Sequence, residues 1–302
     1  MHLRSSLTAT AVALLGQGVA AQQMIRFGCS QLVISRLDPL VNPGVERSPH
    51  VHQIVGGNSF NASMDPNTHD LVKLSTCTSC TFSEDFSNYW TAVLYYQARN
   101  GSYKRVRQYP NDGLRTDGGI TVYYIPPYDG KTRVTAFKQG FRMLVGDAAL
   151  TTSKGMQRQL CHRCLGTPNG AGAPCTGSDT QSLPNQFCPG GIRTTITFPT
   201  CWDGKNIDSP DHKSHVAYPQ SGTFESTGTC PTSHPVRLPQ LMYEVMWDVS
   251  ILGGYMRLRD INDHCRLRHS TTRPSGRRMA RSRSCGAPMT CEFPVRYLTP
   301  NC

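Results

Sequence analysis

The chain alternates between short apolar runs and polar clusters, with glycine or proline interrupting every few positions. Thr91 to Tyr96, Gly119 to Ile125, Arg193 to Phe198 and Leu241 to Trp247 are rich in β-branched and aromatic residues, which predicts strands. Pro126-Pro127 stops the second run, because proline cannot donate to a sheet ladder. Apolar residues repeating every 3.6 positions are scarce, so few helices are expected. Many short strands with turn residues between them predict a mainly β, single-domain fold, a sandwich or jelly roll with long loops. In the pairs Tyr95-Tyr96 and Tyr123-Tyr124 one ring of each is expected in the core, since strand neighbours face opposite ways.

The two ends depart from this pattern. Met1 to Ala21 combine the basic Arg4, an apolar stretch from Leu7 to Leu15, and small residues at Val19-Ala20-Ala21. These are the three parts of a secretory leader, so residues 1–21 are expected to be removed before Gln22 and the product to be extracellular. No later run is long and apolar enough to span a bilayer. Residues 22–256 form the expected β-rich domain, and the Arg-, Ser- and Thr-rich residues 257–302 are expected to be poorly ordered.

Thirteen cysteines in a secreted chain point to disulfides rather than zinc thiolates. Compartment therefore favours a structural reading of Cys77-x-x-Cys80 and Cys161-x-x-Cys164 over redox or metal chemistry. Residues 167–189, rich in Gly, Pro and Ser and holding Cys175 and Cys188, read as a long disulfide-tied loop. Of the net charge of +11, the segment from Asp248 onward supplies +6, with ten arginines against four acidic residues. Those arginines lack interleaved aromatics for base stacking, so a nucleic-acid partner is not expected. Asn61-Ala62-Ser63 and Asn100-Gly101-Ser102 are short glycan-acceptor motifs.

The chemistry concentrates in two histidine clusters. His50 and His52, one residue apart, share a face if they lie on a strand. The run from Asp208 to His215 adds Asp211 and His212, with Ser209 and Ser214 between them. Such a density of side chains that compete for backbone hydrogen bonds predicts a loop. Imidazole and carboxylate bind divalent metals and move protons near neutral pH. Three uses stay open: a divalent metal ion held by His50, His52, His212 and His215; metal-free acid/base catalysis by these histidines with Asp208 and Asp211, in which His215 or Asp208 carries the proton; or a purely structural polar loop. A Ser214–His215–Asp208 nucleophile is disfavoured, because adjacent residues seldom meet in the needed geometry and no Gly-x-Ser-x-Gly elbow is present. Tyr89, Trp90 and Trp202 are the candidate rings for stacking on a substrate sugar. Of the first two, Trp90 suits the core slightly better and Tyr89 the platform. His69, His162, His264 and His269 are solitary and read as bystanders, while His234 belongs either to the site or to a turn.

Several motifs occur in order: Cys29-Ser30-Gln31-Leu32-Val33, Arg36-x-Asp38-Pro39, His50-x-His52, Cys77-Thr78-x-Cys80 and Ser87-Asn88-Tyr89-Trp90. They continue with Cys188-Pro189-Gly190-Gly191-Ile192-Arg193, Phe198-Pro199-x-Cys201-Trp202-Asp203-Gly204, Asp208 to Tyr218, Gly228-Thr229-Cys230-Pro231 and His234-Pro235-Val236-Arg237-Leu238-Pro239. Over about Arg26 to Trp247 the chain resembles the secreted fungal family called domain of unknown function 1996. Members of that family are sometimes joined to wall-binding or cellulose-binding modules, neither of which is found here. The resemblance implies a role on cell-wall or plant polysaccharide, either catalytic or as a non-catalytic wall-associated protein. After Trp247 the chain departs from the family, whose members usually continue with a Gly-Asp-x-Thr-Gly-Tyr-Gly-x-His-Gly-Asp-like segment.

Overall fold

The computed structural model describes residues 24–98, 100–110, 117–146, 159–168, 170, 172–221 and 228–250. The leader and the Arg-rich tail lie outside these residues. The strands in chain order are β1 (Ile25–Ser30), β2 (Val33–Ser35), β3 (His52–Gly56), β4 (Asn88–Ala92), β5 (Tyr95–Gln97), β6 (Tyr103–Arg105) and β7 (Arg107–Gln108). They continue with β8 (Gly119–Ile125), β9 (Leu160–Cys164), β10 (Ile192–Thr197), β11 (Cys201–Trp202), β12 (Val216–Ala217), β13 (Val236–Arg237) and β14 (Gln240–Asp248). One short helix, α1 (Leu71–Leu74), follows Asp70, whose carboxylate caps the amides of Val72 and Lys73.

The main sheet has the order β1-β8-β14-β10-β9, every pair antiparallel, with β7 added beside the end of β14. Three of the four predicted strand runs coincide with β8, β10 and β14. The fourth is divided between β4 and β5, separated by the buried Val93 and Leu94. Smaller sheets are β2-β3-β4, β12-β11-β13 and the hairpin β5-β6. The expected mainly β architecture is therefore what the chain forms.

Strand alternation gives the main sheet two different faces. One carries Phe27, Ile120, Val122, Tyr243, Val245, Trp247 and Ile192, and closes onto Val55 of β3 and Tyr89 of β4 in a single apolar cluster. Tyr96 and Tyr124 pack against this cluster, one from each tyrosine pair. The small sheet thus lies against the large one, and its other face holds His52, Ile54 and Trp90. At its end, Gly56 takes φ +105°, with the Ser87 carbonyl so close that a Cβ would stand 1.8 Å from its oxygen.

The opposite face of the main sheet sets a paired polar network beside the buried Ile125, Met242 and Met246. Arg26 donates to the Tyr123 hydroxyl at 2.9 Å, and Tyr123 donates to Glu244 at 2.6 Å. Arg193 pairs with Glu244 at 3.3 Å and lies 3.9 Å from Asp179, which Arg163 also binds. Burial, with the Glu244 carboxylate beside it, pushes the Tyr123 phenol up to about 12. Between the sheets, three glutamines form a buried amide cluster that the sequence pattern gave no reason to expect. Gln31 donates to Gln108 at 2.7 Å, Gln108 to Gln53 at 2.9 Å, and Gln53 to Thr91 at 3.0 Å. Polar residues in strand-like runs read as solvent-facing, but these satisfy one another and so remain buried.

Neither Cys-x-x-Cys motif closes on itself. Cys80 pairs with Cys29, while Cys161 pairs with Cys175 and Cys164 with Cys188. The last two bonds tie down the loop between β9 and β10, as expected for a disulfide-bound loop. Cys201 pairs with Cys230 and anchors the smaller β11 sheet.

His162, read from sequence as a bystander, belongs to the core. Its Nδ1 lies 3.0 Å from the Thr194 hydroxyl, which also accepts the Trp247 indole N–H at 3.1 Å. Trp247 can only donate, and the hydroxyl keeps a second lone pair and its own proton for the bond with His162, whose direction the ring tautomer sets. Burial pushes His162 down from 6.5 to about 4, against the opposing pull of Asp179. The unfolded chain therefore binds this proton more readily than the native one. Its stabilising contribution is complete above about pH 6.5 and declines by about 3 kcal/mol as the pH falls towards 4. H162N should remove that part of the acid slope in urea midpoints measured between these pH values. An unaltered slope would show that His162 is not the group responsible.

Candidate functional site

The first cluster is a sheet-face site. His52 opens β3, and register pairs His52 with Ala92 and Ile54 with Trp90. His52, Ile54 and Trp90 therefore share the face turned away from the main sheet. His50 lies just before the strand, its ring centre 6.4 Å from that of His52. His52 Nδ1 donates to the Leu37 carbonyl at 2.9 Å, which fixes the ring and aims Nε2 towards Asp38 at 3.9 Å. Asp38 also accepts the amides of Leu40 and Val41, so it is a turn residue as well as the neighbour of His52. Arg36 does not pair with it but donates to the Ser48 carbonyl. Trp90 is half-buried, packed against Leu32, Val33, Ile54 and Phe60.

The second cluster is a loop from Asp203 to His215 between β11 and β12, built from successive aspartate turns. Asp203 accepts the amides of Lys205 and Asn206, and Asp208 accepts that of Ser209. Asp211 accepts the amides of Lys213 and Ser214 and the hydroxyls of Ser209 and Ser214. These bonds, the Ser214 amide foremost, hold the Asp211 carboxyl well below the ordinary carboxylate range. Its oxygen is committed to the turn.

The two histidines of this loop have opposite fates. His215 is 1% exposed. Its Nε2 donates to the Arg142 carbonyl at 2.7 Å, and its Nδ1 meets the Ser209 hydroxyl at 2.8 Å. With Phe141 against its face, no ring nitrogen remains for a metal or a substrate. His212 is held at φ +55°, a left-handed conformation uncommon for any residue but glycine. The turn fixes it there: its amide donates to the Ser209 carbonyl and its own carbonyl accepts from Leu144. Its Nδ1 bonds to Asp208 at 2.7 Å, while the ring stays partly exposed, with Nε2 on the side away from that bond. Arg142 flanks Asp208; burial draws its guanidinium down, and Asp208 and Asp65 beside it pull the other way.

The expected rings divide unevenly. Tyr89 is 3% exposed and its hydroxyl bonds to Asp85 and Tyr124, so it is a core residue, not the platform suggested by its sequence neighbours. Trp202 is also buried, its indole donating to the Asn206 carbonyl and its faces met by Phe141 and Lys138. Only Trp90 keeps part of its ring towards solvent. His234 ties the β13 approach to the loop by donating to the Ser214 carbonyl at 3.0 Å. Among the described residues no three His, Cys, Asp or Glu side chains come together as a metal-binding set. His50, His52, His212 and His215 therefore do not form one ligand cage there.

What the site residues can do follows from their protons. Asp208 with His212 is an oriented imidazole: the carboxylate can only accept, so the Nδ1 proton faces it, and in the neutral ring the lone pair falls on Nε2. That arrangement serves a general base, and after protonation a general acid.

No helix among the described residues is long and apolar enough to cross a membrane. No curated protein and no solved structure matches the chain. A family model described as a domain of unknown function, DUF1996, matches residues 38–277, reaching past β14 into the Arg-rich segment. With most of its length covered by that match, and the His50, His52 and Asp208–His215 clusters both inside it, the chain belongs to the DUF1996 family.

Proposed function

We propose that this is an extracellular protein that acts on cell-wall or plant polysaccharide, with His212 as the group that moves the proton and Asp208 as its orienting partner. One observation carries the reading: a partly exposed imidazole, held by a carboxylate at 2.7 Å on a left-handed backbone. Unusual backbone conformations persist where surrounding structure enforces them, and they concentrate at functional sites. The disulfide framework suits an oxidising compartment. The polysaccharide substrate rests on the family resemblance, and the chemistry would be glycosidic cleavage by hydrolysis or elimination. Asp208 and Asp211 do not act as a glycosidase carboxylate pair in this reading, because both are engaged within the loop.

A second reading has its own support. Trp90 is the candidate ring that stays half-exposed, and it shares a sheet face with His52, a pairing suited to holding a sugar without cleaving it. A panel of acidic and neutral glycans separates the two. Turnover by the parent that is lost in H212Q supports the catalytic reading. Binding without turnover, lost in W90A and kept in H212Q, supports the wall-associated one. A folded protein that neither binds nor alters any glycan overturns both.

A further inference from the structure

We infer that Asn100 is an N-glycosylation site and that Asn61, although it has the same sequence motif, is the poorer acceptor. The inference rests on the extracellular reading above, because the modification needs entry into the secretory pathway. Both motifs have a serine two residues on and no proline between. The structure separates them. Asn100 lies at the tip of the β5–β6 hairpin, closed by the bonds from Ala98 to the Ser102 carbonyl and from Gly101 to the Ala98 carbonyl. Gly101 takes φ +83° with no heavy atom within 4 Å of where its Cβ would be, so the tip stands clear of the fold. Asn100 is exposed, and its Oδ1 accepts both the Ser102 amide at 3.0 Å and the Ser102 hydroxyl at 2.7 Å.

That last contact brings together the two side chains that the motif requires, and it does so on an exposed asparagine. The transfer forms a bond from Asn100 Nδ2 to the anomeric carbon of a polyprenyl-diphosphate-linked oligosaccharide. The anomeric carbon–oxygen bond breaks, the diphosphate leaves with its electron pair, and the proton lost from Nδ2 is taken up by a base of the transferase. At Asn61 the local geometry differs. Its Oδ1 accepts the amide of Ala62, and the Ala62 carbonyl is tied to Gly44. Asn61 and Ser63 are exposed as well, but no Ser63 hydroxyl contact joins this asparagine, and the backbone beside it is tied to Gly44.

The test is translation of the full chain with endoplasmic-reticulum microsomes, reading leader cleavage, protease protection and glycosidase-sensitive mass separately. A glycan-sized step on protected chains, lost in N100Q and S102A but kept in N61Q and S102T, is the expected result. Protected, processed chains without a step at Asn100 would overturn the inference and leave the extracellular reading standing. Chains that are neither processed nor protected would overturn both.

Discussion

Replacing His215 with alanine is expected to lower global stability by about 3–5 kcal/mol, the sum of a buried-ring cavity and two stranded hydrogen-bond partners. The imidazole is fully buried and joins two segments: Ser209 in its own loop, and Phe141-Arg142, whose ring and carbonyl both meet it. Removing it leaves the Arg142 carbonyl without its donor and opens space beside Phe141. Urea denaturation of the disulfide-intact protein is the measurement, with the midpoint falling and the slope preserved. A loss below about 1 kcal/mol would show that the loop is held by its aspartate turns alone, against the role assigned here.

His212, three residues earlier, should respond in the opposite way. H212Q is expected to retain the fold and to reduce turnover on a responsive glycan by about 10²–10⁴-fold, the range for removing a general acid or base. D208N should reduce turnover as well, because an amide in place of the carboxylate no longer selects the tautomer that leaves Nε2 free. H212G adds a control that a structural role would not pass. Glycine adopts a positive φ at no steric cost, so this variant should be as stable as the parent or more so, yet inactive. Should H212G lose stability while H212Q keeps full activity, the imidazole would be a structural element of the turn and the catalytic assignment would fall.

The contrast between these two histidines shows where reading the chain stops. Clustered Asp, Ser and His between Asp208 and His215 announce a loop, and the structure has one. Which ring turns inward depends on the aspartate turns and on Arg142, a residue 73 positions away whose carbonyl receives His215. Nothing local encodes that partner. Tyr89 and Trp90 repeat the lesson on a strand: period two requires one ring in and one out, and β3 register decides which. Tyr89 meets Asp85 and Tyr124 across the core, contacts invisible in its own neighbourhood. The strands themselves were legible because dense β-branched and aromatic residues identify them without reference to partners. The glutamine cluster was not, because each amide is satisfied only by residues from other strands. His50 lies before β3 rather than on it, so the strand spacing does not govern its ring, although the ring centres of His50 and His52 are 6.4 Å apart. The second cluster does not join them in a common metal set among the described residues.

The crossed disulfides have a consequence for how the chain reaches this state. When a reduced chain first oxidises, closing the short loop within Cys161–Cys164 costs less entropy than closing the 14-residue separation to Cys175, by about 1 kcal/mol. The same preference favours Cys77–Cys80 over the 51-residue span from Cys29. The native pairing therefore runs against proximity at both motifs. Bonds that form early must be reopened by a thiolate and passed on through mixed disulfides. Production of the correctly paired protein should accordingly depend on the shuffling capacity of the compartment where it folds, more than on oxidising power alone.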